Sequence, residues 1–533
     1  MTEKKLHSLG NLVLAVLVLS AVSCQPARSP EPARPAAPRR GGTLHLWVPA
    51  ADMLDPLFLD DVYEASVSVN LFNGLVALDD NLAVVPGLAE EWKVSRDGRI
   101  YDFQLRRGVR FHDGTLLDVE DVLFTFRRAM AVHSPVSVNE ILQRLIDEEY
   151  SQGQRHFRIY ALDASTVRII LRQPYPEFLR ILAMDQLRVV PRKSFPPDRP
   201  KTAPPYIGTG PFVLDHQAAD KIVLRRNEDY FAQPARIDKA EFMLVPELKP
   251  AQKVDLFRQG RLDVMEAFNI PQPEKVLSPN HWIVKAELST SFVVFNCQRP
   301  PTDNVYFRRA FVTAFDRQNF FKKAYRGVEP TESILPPGMP GYLPVSDSFR
   351  RNPGDAALLL ERSGLAPEKL PPLDILMATD DPNLIGCYRK VGDLLGIRIR
   401  IRHVADWSMY SRQMDQGEFH VTQLVWAADT PIPEQFYQSL LASSSSQNVA
   451  RYRDDKIDNL IYRMYFEQNL NEKLTIIRTI ESRVRDSVPY MPMENYILNF
   501  MIAPRVKDAR MSPFGLLSLN LAELWIDEPG GRR

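Results

Sequence analysis

The sequence predicts an α/β protein built as more than one lobe, and three observations carry that reading. The chain has 533 residues, beyond the size at which a single hydrophobic core keeps growing, so two or three lobes are expected. Leu373 to Met377, a helical pattern over Leu384 to Leu395 closed by Gly396, and Ile397, Ile399 and Ile401 alternating with arginines read as a β-α-β unit. Such a unit needs parallel strands and a right-handed crossover. Between Pro86 and Arg128 the hydrophobic period switches from two to 3.6, as strands give way to a helix.

Taken in order, the chain starts with Lys4 and Lys5, an apolar run from Leu12 to Leu19, and small residues up to Cys24. This is the pattern of a secretory leader, too short for a comfortable permanent membrane span. Ala21-Val22-Ser23-Cys24 resembles a bacterial lipobox, which implies that Cys24 is the lipidated first residue of the mature protein; an ordinary leader cut nearby is the alternative. Five prolines between Pro26 and Pro38 then exclude a packed core, so residues 24–42 read as an extended, semi-stiff tether.

Thr43 to Val48 begins the folded part as a strand. Tyr101, Phe103 and Leu105 alternate with polar residues, Val109 and Phe111 resume the alternation, and Asp113-Gly114 supplies a tight turn. Asp118 is placed to cap a helix whose apolar stripe is Val119, Val122, Leu123 and Phe126. A hairpin is expected around Asp163-Ala164-Ser165, between Phe157–Ile159 and Val167–Leu171. Ile207-Gly208-Thr209-Gly210-Pro211-Phe212 lacks both the lysine and the following helix of a phosphate loop and reads as a chain-crossing turn. Val293 to Asn296 reads as a strand, Asp303 as a cap, and Asn471 to Arg485 as a long helix.

Composition narrows the function. Apolar residues make up 45% and charged residues 25%, with 66 basic against 66 acidic side chains; a general nucleic-acid binder would show a basic excess. Three cysteines without close spacing build neither a zinc site nor a disulfide scaffold. Cys297 and Cys387 either pair in an oxidising compartment or serve as small buried hydrophobes. The nine histidines include no HExxH, and no GxSxG elbow occurs. No enzyme, cofactor or metal is therefore expected.

Pro86-Gly87-Leu88-Ala89-Glu90-Glu91-Trp92, the following DG-x-x-Y-x-F-x-L-R-x-G-V-x-F-H-D-G-T run, the GTGP turn and Arg226-Asn227-x-x-Tyr230 together resemble the extracellular solute-binding proteins of family 5, the peptide receptors of ABC importers. Arg308 to Phe320 resembles one helix of the family and Val488 to Pro492 its returning strand, which implies that Asn495 to Ala503 continues it into the first lobe, so the resemblance runs from about Gly41 to the C-terminus. It implies a type II periplasmic binding protein fold of the large class (cluster C): two lobes with a hinge, plus an inserted subdomain. The implied division is lobe I over 43–74, 207–288 and 489–533, the insertion over 75–206, and lobe II over 289–488.

In peptide-binding members an extended ligand lies between the lobes, its backbone paired to protein backbone and its amine met by an aspartate. Trp426-Ala427-Ala428-Asp429 resembles the corresponding motif, so Asp429 is the implied amine partner and Val425 to Ala427 the implied backbone edge. Asp60, Val62, Tyr63 and Tyr496 are further implied contacts. Without the resemblance Asp429 reads as a solvated loop acid or a helix cap before Pro431, and Thr430-Pro431-Ile432-Pro433 departs from the usual acidic-Pro segment. Nickel, haem, sugar and antibiotic receptors share the scaffold. The implied partners are a peptide or similar solute, an ABC permease and ATPase, and the membrane through a lipid anchor, the receptor itself being monomeric; a tethered sensory protein using the same cleft is the alternative.

Overall fold

The computed structural model describes residues 38–527 except 60, 134–137, 152–153, 268–269, 271, 325–329, 345–348 and 429. The leader, Cys24, Asp60 and Asp429 lie outside the described residues. From Arg39 onward the chain forms one compact unit. Gly41 and Gly42, read as the end of the tether, lie against the first lobe: the Gly41 amide donates to the Arg236 carbonyl at 2.8 Å, and Arg39 pairs with Asp527.

The first lobe is built on a four-stranded sheet in which Thr43–Val48 runs parallel to Lys239–Leu244, followed by antiparallel Lys221–Arg226 and Phe212–Gln217. Thr43–Val48 alternates between half-buried and buried positions as its sequence pattern requires. Leu44, Leu46, Val48, Phe212, Leu224 and Phe242 are its buried core.

The second lobe carries the expected β-α-β unit. Leu373–Met377 and Ile399–His403 are parallel neighbours, and the crossover helix Pro382–Leu395 ends at Gly396 with φ of 65°. All five residues of Leu373–Met377 are buried, as expected for a strand covered on both faces. These strands belong to a six-stranded sheet that spans both lobes, because its central strands Trp282–Phe295 and Tyr490–Ile502 are long enough to serve each in turn. Their lower ends pair in the first lobe and their upper ends in the second, with register shifts between Ala286 and Phe292. That irregular stretch, where the strands pass from one lobe to the other, is the place expected for the hinge.

The stretch 75–206, expected as the insertion, carries a sheet of its own. Its sheet pairs Ala89–Val94, Ile100–Leu105, Thr166–Ile170 and Ile159–Ala161 in that order. Helix Val119–Ala131 packs on it, closed at its start by a capping box between Asp118 and Asp121. Its hydrophobic core is continuous with residues of the second lobe, through Phe436, Leu440, Ile461, Tyr465 and Ile476, whereas Val190, Phe195 and Tyr206 pack in the first lobe.

Three expectations need correcting. Val109–Phe111 is not a strand: only the bridge Arg110 to Leu116 forms, since the chain turns at Gly114 and the His112 amide is taken by the Gly208 carbonyl. Arg308–Phe320 is two helices, Val305–Ala314 and Arg317–Ala324. The break lets Arg317 donate to the carbonyls of Thr331 and Pro492. The cap of the first of these helices is Asn304, which accepts from the amides of Tyr306 and Phe307, rather than Asp303. Of the two readings of Cys297 and Cys387, the structure has the small buried hydrophobes, since neither is in a disulfide. Burial in an apolar setting raises Cys297 to about 11, so it stays protonated and packs as a small hydrophobe.

Candidate ligand-binding site

Strand Val421–Ala427 pairs with the hinge strand Trp282–Phe295 along its whole length, Ser291 opposite Val425 and Ser289 opposite Ala427. On its other side the only strand partner among the described residues is Ile375, opposite Val421. From Leu424 onward that edge is open. Antiparallel pairs alternate between residues that exchange hydrogen bonds and residues whose N–H and C=O point away. The Ala428 amide donates to the Leu288 carbonyl at 2.8 Å, which makes Trp426 a bonded position and leaves the peptide groups of Val425 and Ala427 facing outward. Val425 is 49% exposed. A strand-shaped ligand therefore meets two outward N–H and C=O pairs at adjacent alternate positions.

This edge opens on a cavity of about 270 Å³. One wall is Trp426 to Ala428 with Thr430, Gln435 and Gln438 of the second lobe; the facing wall is Glu140, Ile141 and Arg144 from helix Val138–Leu145 of the insertion. The helix presents Val138, Leu142 and Leu145 to the core, which turns Arg144 outward. The Arg144 guanidinium lies 5.4 Å from the centre of the Tyr465 ring and donates to Gln438 Oε1 at 3.3 Å.

Val62 and Tyr63 do not reach this cavity. They start helix Val62–Ser68, where Asp61 Oδ1 accepts from the amides of Tyr63 and Glu64, and they line a second cavity of about 160 Å³ in the first lobe. Tyr63 tilts against Trp47, and Lys253 Nζ stands 4.0 Å from the Trp47 ring centre. Glu266 and Glu287 line the same cavity, and burial raises both carboxyls. Glu287 is two residues along the hinge strand from Ser289, the residue opposite Ala427. Tyr496 lies on the other hinge strand directly after Asn495, whose side chain donates to Thr290 Oγ1 at 2.9 Å and to the Ser289 carbonyl. Nearby Glu494 is pushed up to about 7 by burial, which its contact with Ser291 only partly offsets.

Trp426 and Ala427 are thus brought to one cavity, with Val425 before them on the same open edge, Val62 and Tyr63 to another, and Tyr496 to the long strand that passes between the lobes. Sequence reasoning missed Arg144, Gln435 and the half-buried acids Glu266, Glu287 and Glu494. Arg144 had a signal, since Val138, Leu142 and Leu145 fall at helical spacing; the acids become neighbours only through strand pairing. Among the described residues no cluster of histidine, cysteine or acidic side chains could hold a metal, and no helix is long and apolar enough to cross a membrane.

With an interlobe edge, two cavities and a two-strand hinge, the comparison with known proteins is decisive. The family model described as bacterial extracellular solute-binding proteins, family 5 middle, matches residues 83–448. The chain belongs to this family. Family 5 proteins are transport receptors, not enzymes, and this receptor has the two-lobed type II fold. Probable di/tripeptide-binding protein 5 of Pseudomonas aeruginosa is 28% identical, over 84% of this chain and 88% of that protein. Heme-binding protein A of Haemophilus influenzae is 24% identical, over 96% of this chain and 98% of its own. Among solved structures, the Escherichia coli murein tripeptide binding protein MppA superposes with a TM-score of 0.76 at 24% identity, covering 92% of this receptor and 99% of that chain.

Proposed function

We propose that this receptor captures a short peptide between its lobes and delivers it to a membrane permease of an ABC importer. The open edge of Val421–Ala427 carries the reading: Val425 and Ala427 offer outward N–H and C=O groups to an added strand, which gives affinity irrespective of side chain. Each such hydrogen bond contributes about 1 kcal/mol. Asp429, next along the chain from Ala428, is the proposed partner of the ligand amine, and Trp426 the apolar wall beside it. Val62, Tyr63 and Tyr496, together with Asp60, belong to the opposing side of the cleft in this reading.

Closure about the hinge strands follows from ligand binding more tightly to the closed form than to the open one. Lipidation at Cys24 and the Pro-rich segment behind it would hold the receptor at the membrane, as a monomer. The names of the peptide-binding relatives support the ligand class, while the haem-binding relative is the rival. Mass spectrometry of solute co-purified with the mature receptor tests the two: bound peptide supports the reading, and stoichiometric haem refutes it. Intact mass of the membrane fraction tests the anchor, which requires a diacylglyceryl cysteine at position 24.

A further inference from the structure

We infer that the cavity between helix Val138–Leu145 and the second lobe is a carboxylate subsite of the cleft, with Arg144 as the counter-charge. The inference rests on the peptide-receptor reading and adds a chemical preference to it.

The cavity holds a cation without a counter-ion and a donor without an acceptor. Arg144 forms no ion pair among the described residues; it reaches the neutral Gln438 Oε1 and the Tyr465 hydroxyl and lies against the Tyr465 ring, so its contacts leave its charge without a counter-ion. A guanidinium fork matches a carboxylate with two parallel hydrogen bonds. Gln435 points its amide the same way: Oε1 accepts from Thr430, itself only 2% exposed, and Nε2 is buried without a partner. A buried N–H left unmade carries a desolvation penalty that a ligand oxygen removes. Glu140 also lines the cavity, one turn before Arg144, but is exposed and forms no ion pair with it among the described residues. At about 270 Å³ the space accommodates a carboxylate-bearing side chain beside the open edge.

The two walls come from different stretches of the chain: Arg144 from the insertion, Gln435 and Trp426 from the second lobe, held against each other by the continuous core that includes Phe436 and Tyr465. The carboxylate has three sources in a short peptide: the first side chain, the second, or the chain terminus.

Calorimetry on the mature receptor with Ala-Ala-Ala, Glu-Ala-Ala, Ala-Glu-Ala and Ala-Ala-Ala amide separates them, each run against wild type, Arg144→Gln and Arg144→Glu. One carboxylate is expected to raise wild-type affinity about tenfold over its neutral counterpart. That ratio should fall to within about twofold in Arg144→Gln and invert in Arg144→Glu, and the position at which this happens names the source. A ratio within twofold for every carboxylate in wild type, or an equal ratio in wild type and Arg144→Gln, overturns the subsite while leaving the peptide receptor intact. Absence of binding by all four peptides overturns the receptor reading and the subsite together.

Discussion

His112 and Gly208 hold each other reciprocally: the Gly208 amide donates to Nδ1 at 3.2 Å, and the His112 amide donates to the Gly208 carbonyl at 2.9 Å. Nε2 therefore carries the ring proton and donates to the Gly210 carbonyl at 3.2 Å. Two segments nearly a hundred residues apart, one from the insertion and one from the return to the first lobe, are tied at this point. Burial pushes the imidazole down to about 4. A histidine depressed below its ordinary value stabilises the fold above about pH 6.5 and loses that contribution as pH falls toward 4. Thermal melts should show a fall over that window worth up to about 3 kcal/mol, and His112→Asn should flatten it.

Gly208 and Gly210 owe their identity to the close approach of the outgoing chain. A Cβ on Gly208 would stand 1.9 Å from the Leu71 carbonyl oxygen, and one on Gly210 2.3 Å from that of Asn70. Backbone cannot yield as a side chain does, so Gly208→Ala should cost about 3 kcal/mol or more in urea unfolding. Gly386, inside helix Pro382–Leu395 with open space around it, is the contrast: Gly386→Ala should stabilise by about 0.5–1 kcal/mol.

A second tie between the insertion and the first lobe is ionic. Arg128 and Asp55 are 2% and 0% exposed at their side chains and meet through two hydrogen bonds, of 2.9 and 2.5 Å. Asp55 also accepts from the amides of Leu57 and Lys201, so its removal strands a buried guanidinium and two amides. Asp55→Ala is expected to cost about 3–5 kcal/mol, read as a lowered denaturant midpoint.

Glu494 responds to pH in the opposite sense to His112. Its carboxyl is raised to about 7 by burial, so the folded receptor prefers it protonated. The stabilisation is complete below the ordinary carboxylate value and is lost as pH rises from about 4.5 through 7. Glu494→Gln should remove the part of the stability loss that develops over that interval in wild type, measured by melts at fixed ionic strength.

How much of this was legible follows from range. Asp118 with its Val119–Phe126 stripe, and Leu373–Ile401 with Gly396, were readable because capping and periodicity are local. Val109–Phe111 looked like a strand because its alternation is local too, while the Gly208 carbonyl that diverts its backbone is remote. Arg308–Phe320 failed for the same reason, since the carbonyls of Thr331 and Pro492 that turn Arg317 aside are not written in the helix. In the site, the motif around Trp426 marked the edge strand, but its open side is a property of sheet order. Arg144 faces Gln435 only because the insertion packs against the second lobe.

The open edge makes a sharp prediction, because neighbouring residues on it differ in which way their amides point. The Trp426 N–H belongs to the ladder with Thr290, whereas the Ala427 N–H faces the cleft. Proline lacks that donor and is tolerated in strands where the lost N–H faces outward. Ala427→Pro should therefore keep a melting temperature close to wild type while weakening peptide binding about fivefold to tenfold, the share of one hydrogen bond. Trp426→Pro should instead break the ladder at the hinge and lower the melting temperature sharply. Equal stability loss in the two variants, or unchanged peptide affinity in Ala427→Pro, would mean that the ligand does not extend this sheet.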